Sequence, residues 1–109
     1  PPTSWQTNYI SAYATMHPFE DFAETFAAYL DMVSVLDTAK HMGLGEGWEP
    51  TQSDLPTMVE RYVRLGVISN EMNRARGLTD LVPEVFAPPI IGKLTYVHDI
   101  VRKAQSIRR

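Results

Sequence analysis

The placement of proline and glycine constrains this chain more than any other feature. Pro18, Pro56 and the pair Pro88-Pro89 each open a long run with apolar residues at helical spacing, and Gly43 and Gly77 close two of those runs. Proline suits the first turn of a helix, where its missing N–H has no partner to lose, and glycine suits the left-handed position just past the end. A residue before proline is pushed out of the α region, so His17 separates the Pro18 helix from what precedes it. The pattern predicts four main helices in 1–109: Thr3 to about Met16, Pro18 to about Met42, a third capped by Ser53 or Asp54 and reaching about Arg76, and a last one from Pro88 or Pro89. Residues 78–89 hold three prolines and read as an extended connector. The expected fold class is all-α, a compact bundle-like arrangement in a single domain.

Periodicity assigns the faces. Trp5, Tyr9, Ala12 and Tyr13 share a side of the first segment. In the second, Phe19, Phe22, Phe26, Tyr29, Leu30 and Val33 gather as a core face, with Glu20, Glu24 and Asp31 almost opposite. Met58, Val59, Tyr62, Val63, Leu65, Val67, Ile68 and Met72 line the third, and Gly66 marks a close helix contact. Ile90, Ile91, Leu94, Val97, His98 and Val101 line the last. Trp48 is expected to fold the glycine-rich loop after Gly43 back onto the core. That loop has no phosphate-binding spacing.

The acidic face carries the functional question. First-turn acids on an outer helix face are ordinarily just solvated and suit the macrodipole. Here, however, Ala23, Ala27, Ala28 and Ser34 sit between or beside them, small enough for another element to approach closely. No Lys or Arg follows at i+4 to make the usual surface ion pairs. Carboxylates at i and i+4 project side by side, so one can hold a metal while the other orients a neighbouring ligand.

Glu20-Asp21-Phe22-Ala23-Glu24, with Tyr13 seven residues before Glu20, resembles the third-ligand helix of HExxH zinc metallopeptidases of the anthrax lethal factor type. His17 through Thr25 is also similar to the His-Pro-Trp-Glu-Asp-Trp-Ala-Glu-Thr run of a bacterial zinc-binding metallopeptidase family, a domain of unknown function that carries an N-terminal zinc ribbon. The likeness continues at Asn70, Asn73-Arg74, Gly77, Asp80, Pro83, Lys93-Leu94 and Val97-His98-Asp99. This chain departs from it at Phe19 and Phe22, where the family has Trp, and at Val82 and Glu84, where the family often has Tyr and Phe around the proline. The resemblance implies a zincin-like peptidase domain whose HExxH lies upstream. It implies zinc held by two upstream histidines and Glu20, peptide or protein substrates, Glu24 orienting a histidine ligand, and Tyr13 stabilising the oxyanion. Glu24 is the alternative ligand. Read without the family, Tyr13 packs its ring and wets its hydroxyl.

Composition narrows the alternatives. A formal charge of −3 does not suggest a nucleic-acid surface. With no cysteine there is neither a disulfide framework nor a zinc ribbon in these residues. No apolar run approaches a membrane span and no secretory signal is visible, so a cytoplasmic setting is the default. His17, His41 and His98 include no pair at i+4, and a catalytic zinc site needs about three protein ligands, so the chain alone is not expected to bind zinc or to be active. His41 and Lys40 suit the negative end of their helix, and neighbours His98 and Asp99 do not face each other as a catalytic pair would. The chain starts Pro1-Pro2 and reads as the C-terminal fragment of a longer protein, with self-association expected from apolar surface left bare. The competing class is a non-catalytic helical protein-interaction module.

Overall fold

A computed structural model describes residues 3–44, 49, 52–78 and 86–108. It is all-helical, with two short 3₁₀ turns, Trp5–Thr7 and Tyr13–Met16, followed by α1 Pro18–His41, α2 Leu55–Ala75 and α3 Pro88–Arg108. Trp48, Asp80, Pro83 and Glu84 lie outside the described residues.

Three of the four predicted helices form; the first segment is two 3₁₀ turns instead. Local side-chain bonds compete there with helical ones. The Ser11 hydroxyl accepts the Ala14 N–H at 3.2 Å, and the Asn8 carbonyl accepts from Lys93 Nζ at 2.6 Å. With its polar groups engaged elsewhere, the segment packs as a strap against α1 and α3.

Helix ends follow the proline and glycine signals closely. Pro18 and Pro56 sit in the first turns of α1 and α2. Gly43 (φ +89°) and Gly77 (φ +78°) stand just past their ends. At the first, Gly43 N–H bonds Lys40 O at 3.0 Å and Leu44 N–H bonds Ala39 O at 2.8 Å. Gly77 to Arg74 (3.0 Å) and Leu78 to Asn73 (2.7 Å) repeat this at the second. These paired bonds satisfy carbonyls that the helix leaves open, and they require the left-handed residue that glycine adopts without strain.

The buried face of α1 is turned from the aromatic one that periodicity favours: it keeps Tyr29, with Phe26 and Val33 at its edge, and leaves the rest out. Thr25, Tyr29, Met32, Leu36 and Ala39 are buried, whereas Phe19 (69% exposed), Phe22 (45%) and Leu30 (51%) face outward and Phe26 and Val33 are half-buried. The phenylalanine stripe meets Asp37 at its next step, while the stripe through Tyr29, Met32 and Leu36 continues to Ala39 near the helix end. A long helix buries most apolar area along the stripe that runs its length. Around that stripe the core assembles from Leu55, Met58, Val59 and Tyr62 of α2 and Ile90, Leu94 and Val97 of α3. On α2 the buried line passes from Tyr62 through Gly66 to Asn70, which leaves Val67, Ile68 and Met72 exposed, off the face expected for them.

Candidate functional site

His17 is extended (φ −167°, ψ 147°), as a residue before proline must be, and it caps α1 by accepting the Phe19 N–H on Nδ1 at 3.0 Å. Glu20 and Asp21 then fall in the first turn of α1. Glu20 is half-buried and has no hydrogen-bond or ion-pair partner among the described residues. One turn on, Glu24 is also half-buried, and its Oε1 accepts from the Ser11 hydroxyl at 3.0 Å. The same Ser11 oxygen caps the turn that begins at Tyr13. That turn packs on α1, and the Tyr13 ring is 57% exposed. Ser11 therefore ties the turn carrying Tyr13 to the helix carrying both glutamates. Sequence reasoning passed over it, although a serine three residues before a 3₁₀ N–H is a recognisable local cap.

Lys93 is a second residue whose role shows only in three dimensions. Its Nζ lies 2.7 Å from Asp21 Oδ2, donates to Asn8 O at 2.6 Å and sits 4.3 Å from the centroid of the Tyr9 ring. One ammonium thus joins α3, α1 and the N-terminal strap. Burial of part of this cluster makes the ion pair less screened than a surface one.

The other histidines have structural roles. His98 is buried, with Tyr29 Oη 2.6 Å from Nδ1 and Ser53 O 2.6 Å from Nε2, while Asp99 is exposed and takes no part. His41 Nδ1 donates to Asp37 O at 2.8 Å in the last turn of α1. Among the described residues no three His, Asp or Glu side chains converge on a common point.

The arrangement is a helix-borne pair of carboxylates, one braced and one without a partner among the described residues, beside a tyrosine-bearing turn. Compared with known proteins, residues 1–100 match the family described as "Putative zinc-binding metallo-peptidase". The chain belongs to this metallopeptidase family. It is similar to uncharacterized proteins Mb2598c of Mycobacterium bovis and Rv2568c of Mycobacterium tuberculosis, each 36% identical over 107 residues, covering 93% of this chain and 31% of the relative. The chain therefore spans about a third of the length of these relatives. No solved structure matches it significantly. Within the metallopeptidase family zinc is the implied metal. The free, half-buried carboxylate of Glu20 fits one oxygen ligand of such an ion, and the described residues supply no others around it. No helix of the described residues is long and apolar enough to cross a membrane.

Proposed function

We propose that this chain is the part of a zinc-dependent peptidase that supplies the third metal ligand, Glu20, to an HExxH histidine pair carried outside these 109 residues. One observation carries the reading. Glu20 is a half-buried carboxylate without a partner among the described residues, while its neighbour Glu24 is held in place by Ser11. A carboxylate unpaired in this way has lone pairs free to accept from, or to coordinate, a partner.

Zinc, when bound, supplies a Lewis acid that acidifies water and polarises a peptide carbonyl. This chain's residues do the positioning. Ser11 occupies Glu24 Oε1 at 3.0 Å, which leaves Oε2 to accept an N–H from a ligand imidazole and so fix its tautomer and orientation. Tyr13, on the turn that Ser11 caps, donates its exposed hydroxyl to the oxygen on which negative charge develops. The substrate is a peptide or protein, and the base that takes the proton from water is the glutamate of HExxH.

The alternative, a non-catalytic interaction module, draws support from the outward-facing rings of Phe19, Phe22 and Tyr96. Glu20→Gln in the protein that carries the histidine segment separates the two. Stoichiometric zinc is expected in the parent and lost in the variant, with the helical circular dichroism retained and the melt no higher than that of the zinc-free parent. Zinc retained at full stoichiometry rejects Glu20 as ligand, and a zinc-free parent favours the interaction reading.

A further inference from the structure

The side of α2 turned away from the core carries a spacing that the fold leaves unused. Arg61, Leu65, Ile68, Met72 and Ala75 follow one another by four, three, four and three residues, the repeat by which one helix lies along another. Ile68 is 53% exposed and Met72 63%, and Leu65 is half-buried. A groove of about 470 Å³ runs beside this strip, with Leu36, Ala39 and Leu44 on the α1 side and Arg61, Leu65 and Ile68 on the other. Leu44 itself is largely exposed. From Arg61 to Ala75 the strip is about 21 Å long.

The charges beside the strip select what lies along it. Glu60, Arg64 and Glu71 border it with both signs, which suits no ligand of a single charge. Their ion pairs within α2, Arg64 to Glu60 at 2.9 Å and Arg74 to Glu71 at 2.8 Å, are exposed and weakly held. A second α2 laid antiparallel across a two-fold axis at Ile68 answers each position. Ile68 meets its own copy, Leu65 lies beside Met72, Arg61 lies over the small Ala75, and Arg64 comes within reach of Glu71. The symmetry repeats every contact away from the axis. A parallel pairing would instead set Arg61 against its own copy, like charge on like.

We propose that this face of α2, with Leu44 at its edge, pairs two copies of the chain in an antiparallel helix contact whose direction is fixed by the Arg64–Glu71 bridges. A surface built for a different protein has no reason to complement itself in this way. The nearest groove residue of α1, Leu36, stands about 24 Å along the helix from Glu20, so the contact does not depend on the zinc reading. An interface of this length is at the small end of specific contacts, so the dimer is reversible, with a Kd on the order of 10–100 µM.

The test is sedimentation equilibrium of the intact chain from about 5 µM to about 1 mM, which brackets that range. A monomer–dimer equilibrium is expected. Ile68→Lys sets two cations together at the axis and should weaken association about tenfold or more, with the helical circular dichroism retained because position 68 is exposed in the monomer. Arg64→Glu or Glu71→Arg alone should weaken it about 3–10-fold, and the two together should restore it, a rescue specific to the antiparallel register. The chain has no cysteine, so Ile68→Cys should give a disulfide-linked dimer on mild oxidation faster than Ser69→Cys, which is turned about 100° away. A monomer at every concentration, a dimer indifferent to Ile68→Lys, or no rescue by the double exchange overturns the inference. The strip then belongs to another protein or to a segment outside these 109 residues.

Discussion

The Tyr29 hydroxyl lies 2.6 Å from His98 Nδ1 and joins α1 to α3 across 69 residues of sequence. Ser53 O, 2.6 Å from Nε2, can only accept, so Nε2 carries the ring proton and Nδ1 accepts from tyrosine. A single buried imidazole thereby binds three elements: α1, α3 and the residue before the cap of α2.

Tyr29→Phe removes the donor and leaves Nδ1 buried and unpaired. The expected cost is about 1–3 kcal/mol. At about 4–8 °C per kcal/mol for a domain of roughly this size, thermal unfolding followed by circular dichroism should show a clear fall. The effects of Tyr29→Phe and His98→Ala should be far from additive. Additive losses would mean the bond contributes nothing of its own.

Alkaline pH should unfold the chain through two tyrosines. Burial pushes Tyr29 up from 10.0 to about 12, with Arg102 opposing. Burial likewise pushes Tyr62 to about 12, helped by the charge of Asp31 and a 3.2 Å hydrogen bond to its Oδ2. In the unfolded chain each loses its proton nearer 10, so unfolding releases protons above that pH. Stability is therefore complete below about pH 10 and falls as pH rises to about 12, by on the order of 2–3 kcal/mol per tyrosine. Urea midpoints at pH 9 and 11.5 check the sign, and Tyr62→Phe should flatten the dependence.

Lys93→Met should loosen the N-terminal strap. It removes the 2.7 Å ion pair to Asp21, the 2.6 Å bond to Asn8 O and the contact with the Tyr9 ring. The pair is partly exposed, so about 1–2 kcal/mol is the expected loss. Hydrogen exchange should quicken for residues 3–16 ahead of the α1 core. Uniform acceleration across all three helices would contradict a local tether.

Ser11→Ala takes partners from both Ala14 N–H and Glu24 Oε1 and should cost about 1 kcal/mol, with rescue by Ser11→Thr. In the zinc-bearing protein, Glu24→Gln should weaken zinc roughly 10–100-fold while leaving its stoichiometry intact. Complete loss of zinc from this variant, with zinc kept in Glu20→Gln, would exchange the two roles.

Much of the architecture was legible beforehand because it depends on local chemistry. The start of α1 at Pro18, the turns at Gly43 and Gly77 and the start of α3 at Pro88 all follow from the φ and the missing N–H of proline or from the left-handed freedom of glycine. The three-helix core face of α3 was legible as well, since Ile90, Leu94 and Val97 recur at one period with no rival stripe. The carboxylates at 20 and 24 could be placed side by side for the same reason. The Ser11–Glu24 bond, the Lys93 tether and the Tyr29–His98 bond could not be read, because each partner is supplied by another element 13 to 85 residues away.

The amino-acid sequence by itself determined where α1, α2 and α3 begin and end, since those choices are settled within one turn of backbone, whereas the breaking of residues 3–16 into 3₁₀ turns was decided by contacts with α1 and α3. Only the tertiary structure decided which side of α1 is inside. Its phenylalanines and its Tyr29–Met32–Leu36 line are both apolar, and local periodicity cannot rank two such stripes. Packing ranks them, because α2 and α3 bury the line through Tyr29, Met32 and Leu36 and leave Phe19 and Phe22 outward.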